Sequence, residues 1–203
     1  MKKTLLRLTL VAVLIGTTAI ANAQGMRFSV GAEGAFPMGN FGDVSGTGFG
    51  GSLRIELPIG DKLGFTGTAG YIAFAGKDIT IAGQTVTGDG VGMIPVQLGL
   101  KYYFNEQQDG FYGHVMLGVH MFSTDAVDID PTTGASTTKS EMNTKFSYAP
   151  EVGYHLAKLD FGLRYQLFSN TETTYDPVTY EAVDKSVSYA YLGIRIAYVL
   201  GGK

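Results

Sequence analysis

Cysteine is absent from the 203 residues, which excludes a disulfide framework and any thiolate metal site. After residue 23 there is no run approaching the ~20 uninterrupted apolar residues that a membrane-crossing helix requires. A surplus of positive charge is also missing: 15 Lys and Arg stand against 18 Asp and Glu. That balance argues against a nucleic-acid partner, because nucleic-acid binding draws its affinity from cations placed on phosphates. No G-x-S-x-G elbow occurs, so one common nucleophile arrangement is excluded. Plentiful instead are glycine, at 29 residues, and aromatic rings, as 12 Tyr and 12 Phe.

The first 23 residues read as a leader. Met1-Lys2-Lys3 supplies a positive start, Thr4 to Ile20 is apolar apart from Arg7 and polar threonines, and Ala21-Asn22-Ala23 is an A-x-A cleavage site. The mature chain is then expected to begin at Gln24, with residues 24–203 forming one domain and no second domain following. No cysteine follows the site, so lipid attachment there is excluded. Without Lys2, Lys3 and Arg7 the basic residues fall to 12 against 18 acidic, a formal charge of −6.

Beyond the leader, the dominant signal has a period of two. Leu53, Ile55 and Leu57 alternate with Ser52, Arg54 and Glu56, while Ile94, Val96, Leu98, Leu100 and Tyr102 alternate with Gln97, Gly99 and Lys101. Successive side chains of a strand point to opposite faces, so this period specifies strands with one apolar and one polar face. Eight segments carry it: Met26–Phe36, Gly51–Ile59, Leu63–Ala75, Val91–Phe104, Phe111–Phe122, Lys145–Leu156, Leu159–Phe168 and Ser188–Leu200. Most approach the ~9–11 residues that a tilted strand needs to cross a bilayer. The connectors alternate between long and short, which fits an up-and-down meander with short turns at one end and long loops at the other. An even count allows closure with no exposed edge.

Three of the long connectors read as hairpin extensions. Ile79–Thr87 has the pattern strand, turn, strand, and Asp130-Pro131 and Asp176-Pro177 place Pro at the second position of a turn. The sheet is therefore expected to rise beyond the membrane on one side. Pro95 and Pro150 fall inside expected strands, where each removes a ladder hydrogen bond; a bulge is the expected accommodation.

The two faces differ in kind. The apolar face, including Phe28, Leu53, Leu98, Leu117, Val152, Leu163 and Ile194, contains no charge, and its rings sort toward the strand ends while aliphatics hold the middle. That is the arrangement of a wall facing lipid between two aromatic girdles. The other face carries Arg27, Glu33, Arg54, Glu56, Lys101, Glu151, Asp160, Arg164 and Arg195 among glycines, threonines and Gln166. An eight-stranded barrel is barely wide enough inside for side chains, so these charges must pair with one another; such a lumen is plugged.

Candidate chemistry is sparse. His114, His120 and His155 are the only histidines, and all are expected to point inward. His114 and His120 lie roughly 20 Å apart along one strand and cannot share a metal. Neither a cofactor nor a catalytic set is expected, and the chain is read as a non-enzyme. Asp125, Asp128 and Asp130 crowd one long loop, but the spacing lacks the glycine and terminal Glu of a helix–loop–helix calcium site. With Tyr175 and Tyr180 they are candidate contact residues on the loops. The loops as a whole are acidic and favour cationic partners.

The leader, the segments Ile94-Pro95-Val96-Gln97-Leu98-Gly99-Leu100-Lys101-Tyr102-Tyr103-Phe104 and Phe111-Tyr112-Gly113-His114-Val115-Met116-Leu117-Gly118-Val119, and the Gly-aromatic final strands resemble the bacterial outer-membrane β-barrel domain family, the porin-like group of OmpA/OmpX-type small barrels. The chain departs from that family's pattern at Lys203, where an aromatic is common; Tyr198 or Leu200 would stand in. The resemblance implies an eight-stranded antiparallel up-and-down transmembrane β-barrel in the cell outer membrane of a Gram-negative type of cell. Both termini would be periplasmic, and outer-membrane lipid would be the surrounding partner. The expected role is structural or surface interaction through the protruding hairpins, with a protein partner there. A small transport pore for ions or solutes is the alternative. A soluble barrel with an apolar ligand inside would need the reverse placement of the two faces.

Overall fold

Every period-two segment forms a strand, and each strand pairs with its chain neighbours. The computed structural model describes residues 25–81, 84–86, 88, 90–129, 136–175 and 182–201. In chain order these form β1 (Arg27–Met38), the helical turn α1 (Asn40–Val44), β2 (Ser45–Pro58), β3 (Leu63–Gly76), β4 (Ile79–Ile81), β5 (Gln84–Val86), β6 (Val91–Tyr103), β7 (Gly110–Ile129), β8 (Ser136–Leu156), β9 (Leu159–Tyr175) and β10 (Ala182–Gly201). β4 and β5 make a separate two-stranded hairpin. The other eight close into an antiparallel up-and-down barrel, with β1 against β10 from Arg27↔Gly201 to Met38↔Ala190. Closure matters because an unpaired edge of N–H and C=O groups in hydrocarbon costs several kcal/mol per group.

Short connections at residues 59–62, 104–109 and 157–158 lie at the same end as the start of β1 and the end of β10, hereafter the turn end. At the opposite loop end β7 and β8 stay paired as far as Ile129↔Ser136, and β9 and β10 as far as Tyr175↔Ala182. These strands therefore run past the expected boundaries at Phe122, Lys145, Phe168 and Ser188. The hairpin of β4 and β5 matches the expectation for Ile79–Thr87, of which residues 82, 83 and 87 lie outside the described set. The proline tips at 131 and 177 also lie outside it.

The exterior is an apolar belt. Leu53, Leu98, Leu117, Val152, Leu163 and Ile194 are exposed, as are the rings Phe28, Tyr102, Phe111, Tyr154 and Tyr198 at the turn end and Phe36, Tyr71, Phe146, Tyr148 and Tyr165 toward the loop end. Above the belt the outward column turns polar at Thr144, Ser169 and Ser188. An exposed apolar surface that encircles the molecule is stable only in lipid, and ring-tipped ends suit headgroup depth. The chain is a transmembrane β-barrel.

The prolines are accommodated without the expected bulges. On either side of Pro95 the β3–β6 register is unchanged, but the pairs opposite Gly70 and Tyr71 are lost. At Pro150 the β8–β9 register is likewise unchanged, and the pairs at residues 149 and 150 are lost. Each proline removes only its own N–H, so a neighbour can stay in step across a two-pair gap. The irregularity that does occur lies in β2, between Ser45 and Gly48.

Depth in lipid gives the belt a quantitative signature. Leu117→Arg, at mid-belt, should lower the unfolding free energy in lipid vesicles by about 2–4 kcal/mol, whereas Thr144→Arg, above the belt, should cost about 1 kcal/mol or less. Urea titrations of the two variants measure both.

Candidate functional site

The lumen concentrates the chain's unusual chemistry, and it is filled in three tiers. Nearest the turn end is an ionic tier. Arg54 on β2 reaches across the barrel to Glu151 on β8, with Nη1–Oε1 at 2.9 Å and Nη2–Oε2 at 3.1 Å. This two-pronged geometry is available only to a guanidinium facing a carboxylate. Arg54 Nε also donates to Thr68 Oγ1 at 3.1 Å, and its Nη1 stands 3.9 Å from Asp160. Lys101 binds Asp160 at 2.6 Å and Glu56 at 3.3 Å, and its ammonium sits 3.8 Å from the centre of the Tyr112 ring. Arg195 bonds Ser29 and Ser52 and approaches Asp160 and Glu33 at 3.5 Å, while Arg164 holds Glu33 at 3.1 Å. Arg27 closes the turn end, reaching Glu56 at 3.3 Å and the Gln108 carbonyl at 3.1 Å.

All nine sequence-derived lumen residues therefore meet in one connected set. Eight are buried, and Arg27 is half-buried beneath the turns. Five cations against four carboxylates leave little uncompensated charge. Tyr103 O–H donates to Glu56 at 2.7 Å and Tyr112 O–H to Asp160 at 2.9 Å, satisfying further lone pairs. Parity with Lys101 and His114 places these two tyrosines on the polar face, but nothing in the sequence pairs them with carboxylates on other strands.

His114 is part of the same tier. Its Nδ1 lies 3.0 Å from Glu151 Oε1 and its Nε2 2.8 Å from Thr66 Oγ1. Since an ionised carboxylate only accepts, Nδ1–H donates to Glu151, while Nε2 meets the Thr66 hydroxyl. The row hydroxyl–imidazole–carboxylate has the connectivity of a nucleophile with its base. Thr66 is 0% exposed, however, so the row orients Glu151 toward Arg54 and offers no approach to a substrate. His155 bonds the Ala157 carbonyl at 2.9 Å, and His120 lies in another tier. Among the described residues no group of three metal-ligating side chains comes together.

Glycines make room for these large groups. A Cβ on Gly99 would lie 2.5 Å from His114 Nε2, and one on Gly153 would lie 2.2 Å from the Tyr112 ring. At other inward glycines, such as Gly118, the close neighbour is the backbone of the adjacent strand, so glycine there permits close strand approach.

A neutral middle tier follows: Gln97 donates to Ser147 at 3.3 Å and to Gln166 at 3.2 Å. Above it the interior is apolar, which the reading of a wholly polar lumen did not anticipate. Ile72, Phe74, Met93, Phe168 and Tyr191 face inward, and α1 turns Phe41 down among them. Phe41 meets Phe74 at 5.0 Å and Phe168 at 5.3 Å between ring centres, both edge to face. His120 stacks on Phe168 at 5.6 Å. The long first connector hid this element: α1 spans only five residues, too few to show a helical period. Gly39, at φ 55°, makes the turn that aims it, and Lys77 Nζ holds the Gly42 carbonyl at 2.6 Å.

The loop candidates stand apart from all this. Asp130 and Tyr180 lie outside the described residues, as do the side chains of Asp125, Asp128 and Tyr175; the backbones of those three lie on the outer extensions of β7 and β9.

No protein-family model matches the chain, and no curated protein does. Solved structures do. The attachment invasion locus protein Ail of Yersinia pestis aligns with a TM-score of 0.53 at 11% identity, covering 87% of this chain and 99% of that one. Ail in complex with the heparin analogue sucrose octasulfate gives 0.51 at 12% identity, with 87% and 99% covered. The N-terminal β-barrel domain of Pseudomonas aeruginosa OprF gives 0.47 at 12% identity, covering 86% and 97%. At such identities the likeness is one of fold, that of the small eight-stranded outer-membrane barrels.

Removing one member of the central pair should be costly. Glu151→Ala leaves buried Arg54 with Asp160, 3.9 Å away, as its one nearby carboxylate among the described residues, so a loss of about 3–5 kcal/mol is expected. The double variant Arg54→Met/Glu151→Met should recover most of it, and a double-mutant cycle from urea unfolding reads the difference. Gly153→Val should cost a further ~1–3 kcal/mol or more, because its side chain meets both the Tyr112 ring and the Phe161 backbone carbonyl.

Proposed function

We propose that this protein is an outer-membrane barrel that acts through its loop-end hairpins and conducts nothing through its lumen. The observation that carries this reading is the contrast between the two parts. Below, ion pairs, amides and a seven-residue apolar cluster fill the interior. Above, β7 and β8 continue as a paired ribbon of 20 and 21 residues, about twice the ~9–11 that a crossing requires. A closed interior under a long projecting ribbon suits contact better than passage.

In this reading residues 1–23 direct export and the turn end faces the periplasm with both termini. The contact surface comprises Asp125, Asp128, Asp130, Tyr175 and Tyr180, and the partner is a cationic protein surface. The loops carry Glu141, Glu172, Asp176, Glu181 and Asp184 as well, against Lys139 and Lys185. Ail has been solved with a polyanionic heparin analogue; an acidic loop surface would repel such a ligand, so the present chain is assigned partners of the opposite charge. No redox, metal or group-transfer step is assigned to it.

Protease added to intact cells should cut within residues 130–135 or 176–181 and spare the turns at 59–62 and 104–109. The purified barrel in a planar bilayer should show no steady current. Replacing residues 126–139 by a two-residue turn should preserve heat-modifiable gel mobility while weakening binding of a labelled oligolysine roughly tenfold at low salt. Steady conductance that changes in Arg54→Ala would replace this reading with a pore.

A further inference from the structure

Among the described residues, two depressions on the apolar exterior stand out. One, of about 470 Å³, lies over β8, β9 and β10 near the turn end, walled by Val152, Tyr154, Phe161, Leu163, Ile194 and Ile196 above the Gly153–Gly162 pair. The other, of about 410 Å³, lies over β1 to β3 between Val30, Leu53 and Ala69. Both lie in the lipid-facing belt, where an unfilled void forfeits dispersion contacts on its whole lining. Acyl chain is the material at hand for both.

Of these two, the first has a cation at its mouth. Lys158 occupies the two-residue turn joining β8 to β9, is exposed, and makes no ion pair among the described residues. Its ammonium stands 5.9 Å from the centre of the Tyr198 ring. Tyr198 pairs with Leu159 and is the next outward residue after Ile196, a wall of the depression. Apolar groove, ring and ammonium therefore follow one another toward the membrane surface, the order of acyl chain, glycerol region and phosphate in a lipid.

We propose that this groove is a binding site for an anionic phospholipid of the leaflet at the turn end, with an acyl chain between β8 and β10 and the phosphate against Lys158. The Tyr198 ring holds the ammonium at headgroup depth, as amphipathic side chains do at such interfaces. Charge complementarity favours this occupant, because the ammonium stands at the mouth of a groove whose own lining, among the described residues, carries no carboxylate. The inference rests on the reading that the barrel spans a membrane.

Native mass spectrometry of the barrel released from mixed phosphatidylglycerol and phosphatidylcholine nanodiscs tests it. The wild-type protein should retain phosphatidylglycerol over phosphatidylcholine by about fivefold, the effect of one lysine at an anionic surface. Lys158→Gln, on an exposed turn, should abolish the preference. Leu163→Trp, or Ile196→Trp if the first fails to fold, should reduce retention of both lipids. Ala69→Trp in the second depression should leave the preference intact. Equal retention of the two lipids by wild type, an unchanged preference in Lys158→Gln, or dimer masses in place of lipid adducts would each overturn the site. Failure of wild type to enter lipid at all, read by heat-modifiable mobility, would instead remove the membrane reading beneath it.

Discussion

Closure of β1 against β10 is the constraint from which the remaining features follow. In hydrocarbon every backbone N–H and C=O must find a partner within the protein, and twelve consecutive register pairs from Arg27↔Gly201 to Met38↔Ala190 remove the last free edge. Closure with eight strands also fixes the radius. At that radius the inside holds side chains and little else, so whatever points inward must fit and be satisfied there.

The lumen solves this problem differently at different depths. Toward the turn end, long cationic side chains cross the barrel to carboxylates on opposite strands, as Arg54 does to Glu151 and Lys101 to Asp160. Desolvating these ions is expensive, and only dense reciprocal bonding offsets it. Toward the loop end the same radius is filled by rings, with Phe41 of α1 set among Phe74, Phe168 and Tyr189. No charge need be matched there, so the fill is limited by shape alone. Glycine serves both tiers from beneath, leaving space where a neighbour's ring or guanidinium lies across the strand, as Gly31 does under Arg195.

Much of the barrel was legible in the residues before any coordinates. Leu98 and Lys101 could be assigned to opposite faces by counting in twos, and a single charged residue in the wrong column would have spoiled the pattern. The nine ionic lumen residues were found the same way, since parity alone separates them from the belt. Their partners were not legible: Arg54 and Glu151 are 97 residues apart, and nothing local to either selects the other. Parity set Tyr103 and Tyr112 on the same face as Lys101 and His114, but their bonds to Glu56 and Asp160 join strands distant in sequence and were not legible either. The bulges expected at Pro95 and Pro150 did not form, because a single absent donor breaks two pairs without changing the register.

What the sequence determined by itself is the alternation, and with it the strands, their number, their up-and-down order and the face each side chain takes. These follow from the two-residue repeat of the extended backbone, which every segment carries within itself. What only the tertiary structure decided is which inward groups meet, how the aromatic tier seats Phe41, and where the outer wall is hollow above Gly153 and Gly162. Each depends on the stagger between strands around a closed ring, and that stagger is fixed only when the last strand finds the first.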